Sequence, residues 1–137
     1  MLAGRQEETC LESSSDPLPG CSRELCSEYA IIKNAADRNG CYGDNLVILL
    51  AIRMAENGRP GREFGVLHKR AIGTDLDTQA GWAAASIMAN RKRNPGLEGE
   101  AFIEAMGRRY CPPAAHPLNV NWSKNVTYWY RKLGETL

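Results

Sequence analysis

The sequence predicts a mainly α fold: a single helical domain with little or no β structure. Three observations carry that prediction. Apolar residues recur three and four positions apart through most of the chain, the spacing that lines one face of a helix. Capping and stop residues punctuate these stretches about one helix length apart. Alternation of apolar and polar residues, the mark of a half-buried strand, is nearly absent; only "REFGVL" (62–67) has room for a few extended residues.

Taken in order, residues 1–25 are rich in Ser, Glu, Pro and Gly and poor in large apolar side chains, so they are expected as a loosely ordered extension. The domain proper is expected over 26–137. "RELCSEYAIIKNAADR" (23–38) places Leu25, Tyr29, Ile32 and Ala36 on one helical face. "NGCYGD" is a turn, and Asp44 is expected to cap "NLVILLAIRMAEN" (45–57). The Gly58–Gly61 loop ends that helix. "GTDLDTQAGWAAASIMANRKR" (73–93) opens with Thr74 or Asp75 as cap and closes on Arg91, Lys92 and Arg93, which suits the helix dipole at both ends. Asn94, Pro95 and Gly96 stop it. "EGEAFIEAMGRRY" (98–110) and "NWSKNVTYWYRKLGE" (121–135) complete the set. At 137 residues the chain suffices for one core and not for two.

Composition narrows the function classes. Lys and Arg number 17 against 16 Asp and Glu, a net charge of +1, which argues against a protein living on nucleic-acid phosphates. The basic groups of "NRKRN" and "GRRY" sit at helix ends, where the dipole accounts for them. No run of about 18 apolar residues is present to span a membrane. The first residues carry neither the basic nor the apolar region of a secretion leader. Five cysteines, an odd number without a leader, fit reduced thiols. Cys10, Cys21 and Cys26 follow a C-x10-C-x4-C spacing foreign to zinc sites. His68 and His116 form no zinc-binding motif, and Cys111 with His116 lacks a third group to orient the base. "GRPGREFG" follows a helix, whereas phosphate-cradling loops follow a strand. No metal and no cofactor are expected.

One carboxylate stands out. Counting back from Glu56 in helical steps meets Ile52, Leu49 and Ile48, so the side chain belongs to the apolar face. It also falls in the last turn, where unpaired carbonyls carry partial negative charge. Desolvation and dipole both disfavour the charged form, so Glu56 is expected to keep its proton near neutrality, as a general acid must. The competing reading is an exposed glutamate on a frayed turn, or one paired with Arg53, Arg59 or Arg62.

Three blocks give that glutamate a context. "AIRMAENGRPGREFGVL" (51–67), "DTQAGWAAASIMANRKR" (77–93) and "FIEAMGRRYCPPAAHPLNVNWSKNVTYWY" (102–130) resemble the lysozyme-like superfamily: goose-type lysozymes, lytic transglycosylases and phage or bacterial glucosaminidases. The first block resembles a catalytic helix ending in Glu and leading through a Gly loop to a cleft-lining segment. The resemblance extends over residues 45 to 131. It implies a lysozyme-like helical domain that cuts peptidoglycan at the MurNAc–GlcNAc β-1,4 bond with Glu56 as acid, as a muramidase or a lytic transglycosylase. Asn57 stands where transglycosylases carry Ser, and Val66-Leu67 replace a Met-Gln pair, so the reaction outcome stays open.

A partner for the oxocarbenium-like charge is Glu63, across the loop, or else Asp75 or Asp77, which the helix start explains as well. Without one, the substrate's N-acetyl or 6-hydroxyl group serves, as in the transglycosylases the chain resembles. Asn57, Phe64, Gly65, Val66, Tyr110 and Tyr128 are the candidates for holding sugar, Tyr128 because a Tyr approaches the acid in the family. Trp122 and Trp129, on one helical face with Val126, are expected in the core, as is Trp82. The resemblance is to small lysins acting as monomers on cell-wall polysaccharide, released at lysis or delivered by a phage particle. From a different class comes the alternative of a catalytically silent helical module that binds cell-wall glycan or a protein partner.

Overall fold

A computed structural model describes residues 23–56, 64, 74–110 and 121–136. They form five helices: α1 (Arg23–Arg38), α2 (Asp44–Glu56), α3 (Leu76–Arg93), α4 (Gly99–Tyr110) and α5 (Trp122–Thr136). No strand occurs among the described residues, in agreement with the mainly α single domain read from the sequence. The expected helices all form, and "REFGVL" lies outside the described residues except for Phe64.

The helix α2 is the centre of the bundle because its sequence leaves it no polar face. Every residue from Ile48 to Met54 is buried, so the helix is surrounded by its neighbours. Its most extensive packing is with α5, while α1 lies on α3. Ala80, Ala83 and Ala84 are among the buried residues of α3, and their small side chains let that backbone come close. Phe64 is fully buried in the same core as Ile32, Leu49 and Phe102. Burying each large apolar side chain stabilises the bundle by about 1.5–3 kcal/mol.

Two turns follow directly from residue chemistry. Gly40 and Gly43 adopt φ of +70° and +57°, a region where a Cβ is strained, and this lets α1 reverse into α2 within a few residues. Asp75 caps α3 by accepting from the Thr78 backbone N–H at 2.9 Å, one of the two caps the sequence offered. Asp44 departs from expectation. It is the first residue of α2 and not the residue before it, and its carboxylate accepts from Tyr130 Oη on α5 at 2.8 Å.

The basic end of α3 likewise does more than compensate a dipole. Arg91 donates through Nε to Asn45 Oδ1 at 2.7 Å and through Nη1 to the Leu97 carbonyl at 3.0 Å. Its guanidinium lies 3.8 Å from the centre of the Phe102 ring. One side chain thus ties α3 to the start of α2, to the α3–α4 loop and to α4.

Candidate active site

Glu56 is the last residue of α2, and α5 runs antiparallel to α2. The first residue of α5 therefore meets the last of α2, as Tyr130 meets Asp44 at the opposite end. That first residue is Trp122. Its ring is buried and its indole Nε1–H donates to Glu56 Oε2 at 2.7 Å. Among the described residues this indole is the carboxyl's hydrogen-bond partner.

Arg53, one turn earlier on α2, is directed elsewhere. Its Nε and Nη2 hold both oxygens of Glu28 on α1, at 2.9 and 3.1 Å. Of the three arginines offered as ion-pair partners for Glu56, Arg53 is thus committed to another carboxylate, and Arg59 and Arg62 lie outside the described residues. Glu56 is not the exposed glutamate of a frayed turn either, being partly buried. Burial raises its pKa to about 7 against the Trp122 hydrogen bond, which lowers it. Desolvation wins because one neutral donor replaces only part of the water shell of a carboxylate.

The remaining candidates divide sharply. Asn57, Glu63, Gly65 and Val66 lie outside the described residues, as does the side chain of Tyr110. Phe64 is fully buried in the core and so is not placed to hold sugar. Asp75 is held by its cap, and Asp77 by Arg38 of α1 at 2.8 Å. Both are explained by structure alone. Tyr128 is 52% exposed and meets Trp129 edge-on at 5.0 Å between ring centres. It stands six residues beyond Trp122, about 240° round the helix, so the two rings point to different sides of α5.

Trp122 was expected in the core and is there, yet its N–H makes it part of the site as well. Residue spacing marked the buried face and could not reveal the polar edge. The signal that would have found it is topological: antiparallel α2 and α5 put the start of one at the end of the other. Trp82 departs from the core expectation. It is half-buried on an open groove of about 530 Å³ along α3, shared with Asn39 of the turn after α1 and with Ser86, Asn90 and Arg93. Glu56 is not among the groove's residues.

Burial pushes the Cys41 thiol up to about 12 against the opposing pull of Arg91, which makes it an inert core residue. No group of three His, Cys, Asp or Glu placed to hold a metal occurs among the described residues. No described helix is long and apolar enough to cross a membrane. No family model, no curated protein and no solved structure matches the chain.

Proposed function

We propose that the protein cleaves the glycan strands of peptidoglycan at the MurNAc–GlcNAc β-1,4 bond, with Glu56 as the general acid. The observation that carries this reading is a carboxyl at a helix terminus that burial brings to a pKa of about 7, with an indole N–H fixed on one of its two oxygens. The resemblance of the surrounding sequence to the lysozyme-like superfamily supplies the substrate class.

The chemistry follows from the two oxygens. Trp122 occupies Oε2, which leaves Oε1 to carry the proton. As the glycosidic C–O bond breaks, that proton passes to the leaving oxygen and the carboxyl becomes charged. A hydrogen bond to a carboxylate is stronger than one to a neutral acid, so the indole N–H gains strength as the transition state forms. The same contact therefore orients the acid before the reaction and stabilises its conjugate base during it.

The oxocarbenium-like charge needs a second group. Asp75 and Asp77 are engaged in capping and in an ion pair, so the reading assigns that role to Glu63 or to the substrate's own N-acetyl or 6-hydroxyl group. Attack by water gives a muramidase product; attack by the 6-hydroxyl gives an anhydro sugar. No metal or cofactor enters either step.

The test is release of soluble fragments from purified peptidoglycan by the wild type and by Glu56→Gln, with products read by mass spectrometry. A loss of roughly 100-fold or more in the variant is the expected result. A product lighter by one water identifies the transglycosylase. If neither protein releases fragments while both bind the glycan, the module is a silent binder and the reading fails.

A further inference from the structure

The helix α4 carries a glycine in its interior that neither a turn nor a cap requires. Gly107 lies between buried Met106 and exposed Arg108, the ninth of twelve helical residues, and is not among the glycines with positive φ. At such a position Gly is less favourable than Ala by roughly 0.5–1 kcal/mol. Something must offset that.

What offsets it is the Trp122 ring. A Cβ built on Gly107 would stand 2.9 Å from Trp122 Cε3 and 3.3 Å from Cζ3, with Ser123 Cβ at 3.6 Å. The first distance is closer than real carbon contacts come, so a side chain at 107 would have to displace the indole. The indole has little freedom to yield, since Trp122 is 7% exposed and the opposite edge of its ring is tethered to Glu56 Oε2 at 2.7 Å. Gly107, Trp122 and Glu56 thus form a line across the bundle: backbone of α4, ring of α5, carboxyl of α2.

The geometry assigns Gly107 as a positioning residue: its missing side chain sets the depth at which the Trp122 ring lies, and so holds the indole N–H on the Glu56 carboxyl. The consequence for the reaction rests on the reading of Glu56 as general acid; the placement of the ring does not. A methyl at 107 pushes the ring outward, lengthens the N–H contact, and removes the influence that holds the Glu56 pKa down.

A double-mutant cycle between the two positions tests this, read by thermal unfolding and by the pH dependence of the Trp122 indole 15N–1H resonance. In the wild type that resonance should titrate with Glu56, and its disappearance in Trp122→Phe assigns it. Gly107→Ala should lower Tm by about 5 °C and abolish or shift the titration. In the Trp122→Phe background, where the ring is slimmer and no longer tethered, the same change should leave Tm level or raise it, because alanine suits a helix better than glycine. The sign reversal separates a role through Trp122 from a general packing defect.

Equal losses in both backgrounds, unfolding in both, or an unaltered indole titration in Gly107→Ala would overturn the assignment. Peptidoglycan release supplies an independent arm. Gly107→Ala and Trp122→Phe should each move the alkaline limb of activity upward, with no further movement in the double variant. If the cycle and the titration behave as stated while no form releases fragments, the positioning role holds and the glycosidase reading is what fails.

Discussion

The antiparallel helices α2 and α5 are joined at both ends by the same kind of contact, and only one end suits acid chemistry. At the start of α2, the hydroxyl of Tyr130 donates to Asp44 at 2.8 Å; at its end, the indole of Trp122 donates to Glu56 at 2.7 Å. The surroundings differ. Asp44 is 46% exposed and has the Arg91 guanidinium within 3.4 Å. Glu56 is partly buried, and no cation within ion-pair distance offsets its charge among the described residues. The helix dipole widens the gap, favouring negative charge at the start of α2 and disfavouring it at the end. One end is a structural clasp; the other holds a carboxyl whose pKa desolvation raises to about 7. Hydrogen-bond geometry alone does not raise a carboxyl's pKa; removing its water does.

The largest expected effect separates the two ends by activity. Glu56→Gln should abolish fragment release from peptidoglycan by roughly 100-fold or more, whereas Asp44→Asn should leave the rate per folded molecule unchanged. Equal losses at both ends would erase the distinction.

The second effect concerns stability against pH, and its sign is fixed by the direction of the shift. Glu56 has a folded pKa of about 7 against an ordinary value of 4.5, so the native state binds the proton more tightly than the unfolded chain. That contribution is fully present below pH 4.5 and is lost as the pH rises through 7. Wild type and Glu56→Gln should therefore be level at pH 4, and the variant should be the more stable by up to ~3 kcal/mol at pH 8. Denaturant titrations at the two pH values measure the difference. A variant that gains stability where it loses activity would mark the carboxyl as placed for chemistry at a cost to folding.

A smaller effect is expected from Trp122→Phe. Losing the donor and part of a buried ring should destabilise by about 1–3 kcal/mol. It should also move the alkaline limb of activity upward, because the hydrogen bond that lowers the Glu56 pKa is gone. The smallest belongs to Tyr130→Phe at the other end: about 1 kcal/mol or less in urea unfolding, with the activity–pH profile unmoved. A shift of that profile by Tyr130→Phe would mean that the two ends are coupled and not independent.

How far the sequence reveals this molecule depends on which physical cause is local. Helix positions were legible because periodicity and caps are properties of neighbouring residues: Asp75, Ile48–Ile52 and the Arg91–Arg93 terminus all stand where the pattern placed them. The buried direction of Glu56 was legible for the same reason, as one more position on a counted face. Contacts made across the bundle were not. The turning of Asp44 to Tyr130 and Arg91, the engagement of Arg53 by Glu28, and the reach of Trp122 to Glu56 all join residues 25 to 86 positions apart. Each is set by how helices pair, which no short window contains. Trp82 fell short of the core for a related reason: an Ala-rich helix has no strong apolar stripe to say which way a single Trp turns.

Desolvation is what raises the Glu56 pKa to about 7, with no cation at ion-pair distance among the described residues. The most direct measurement is the 13C titration of its side-chain carboxyl, assigned by the resonance missing in Glu56→Gln. A midpoint near 7 is the predicted result. A midpoint near 4.5, the ordinary value for glutamate, would contradict it and leave Glu56 a hydrogen-bonded structural carboxylate like Asp44.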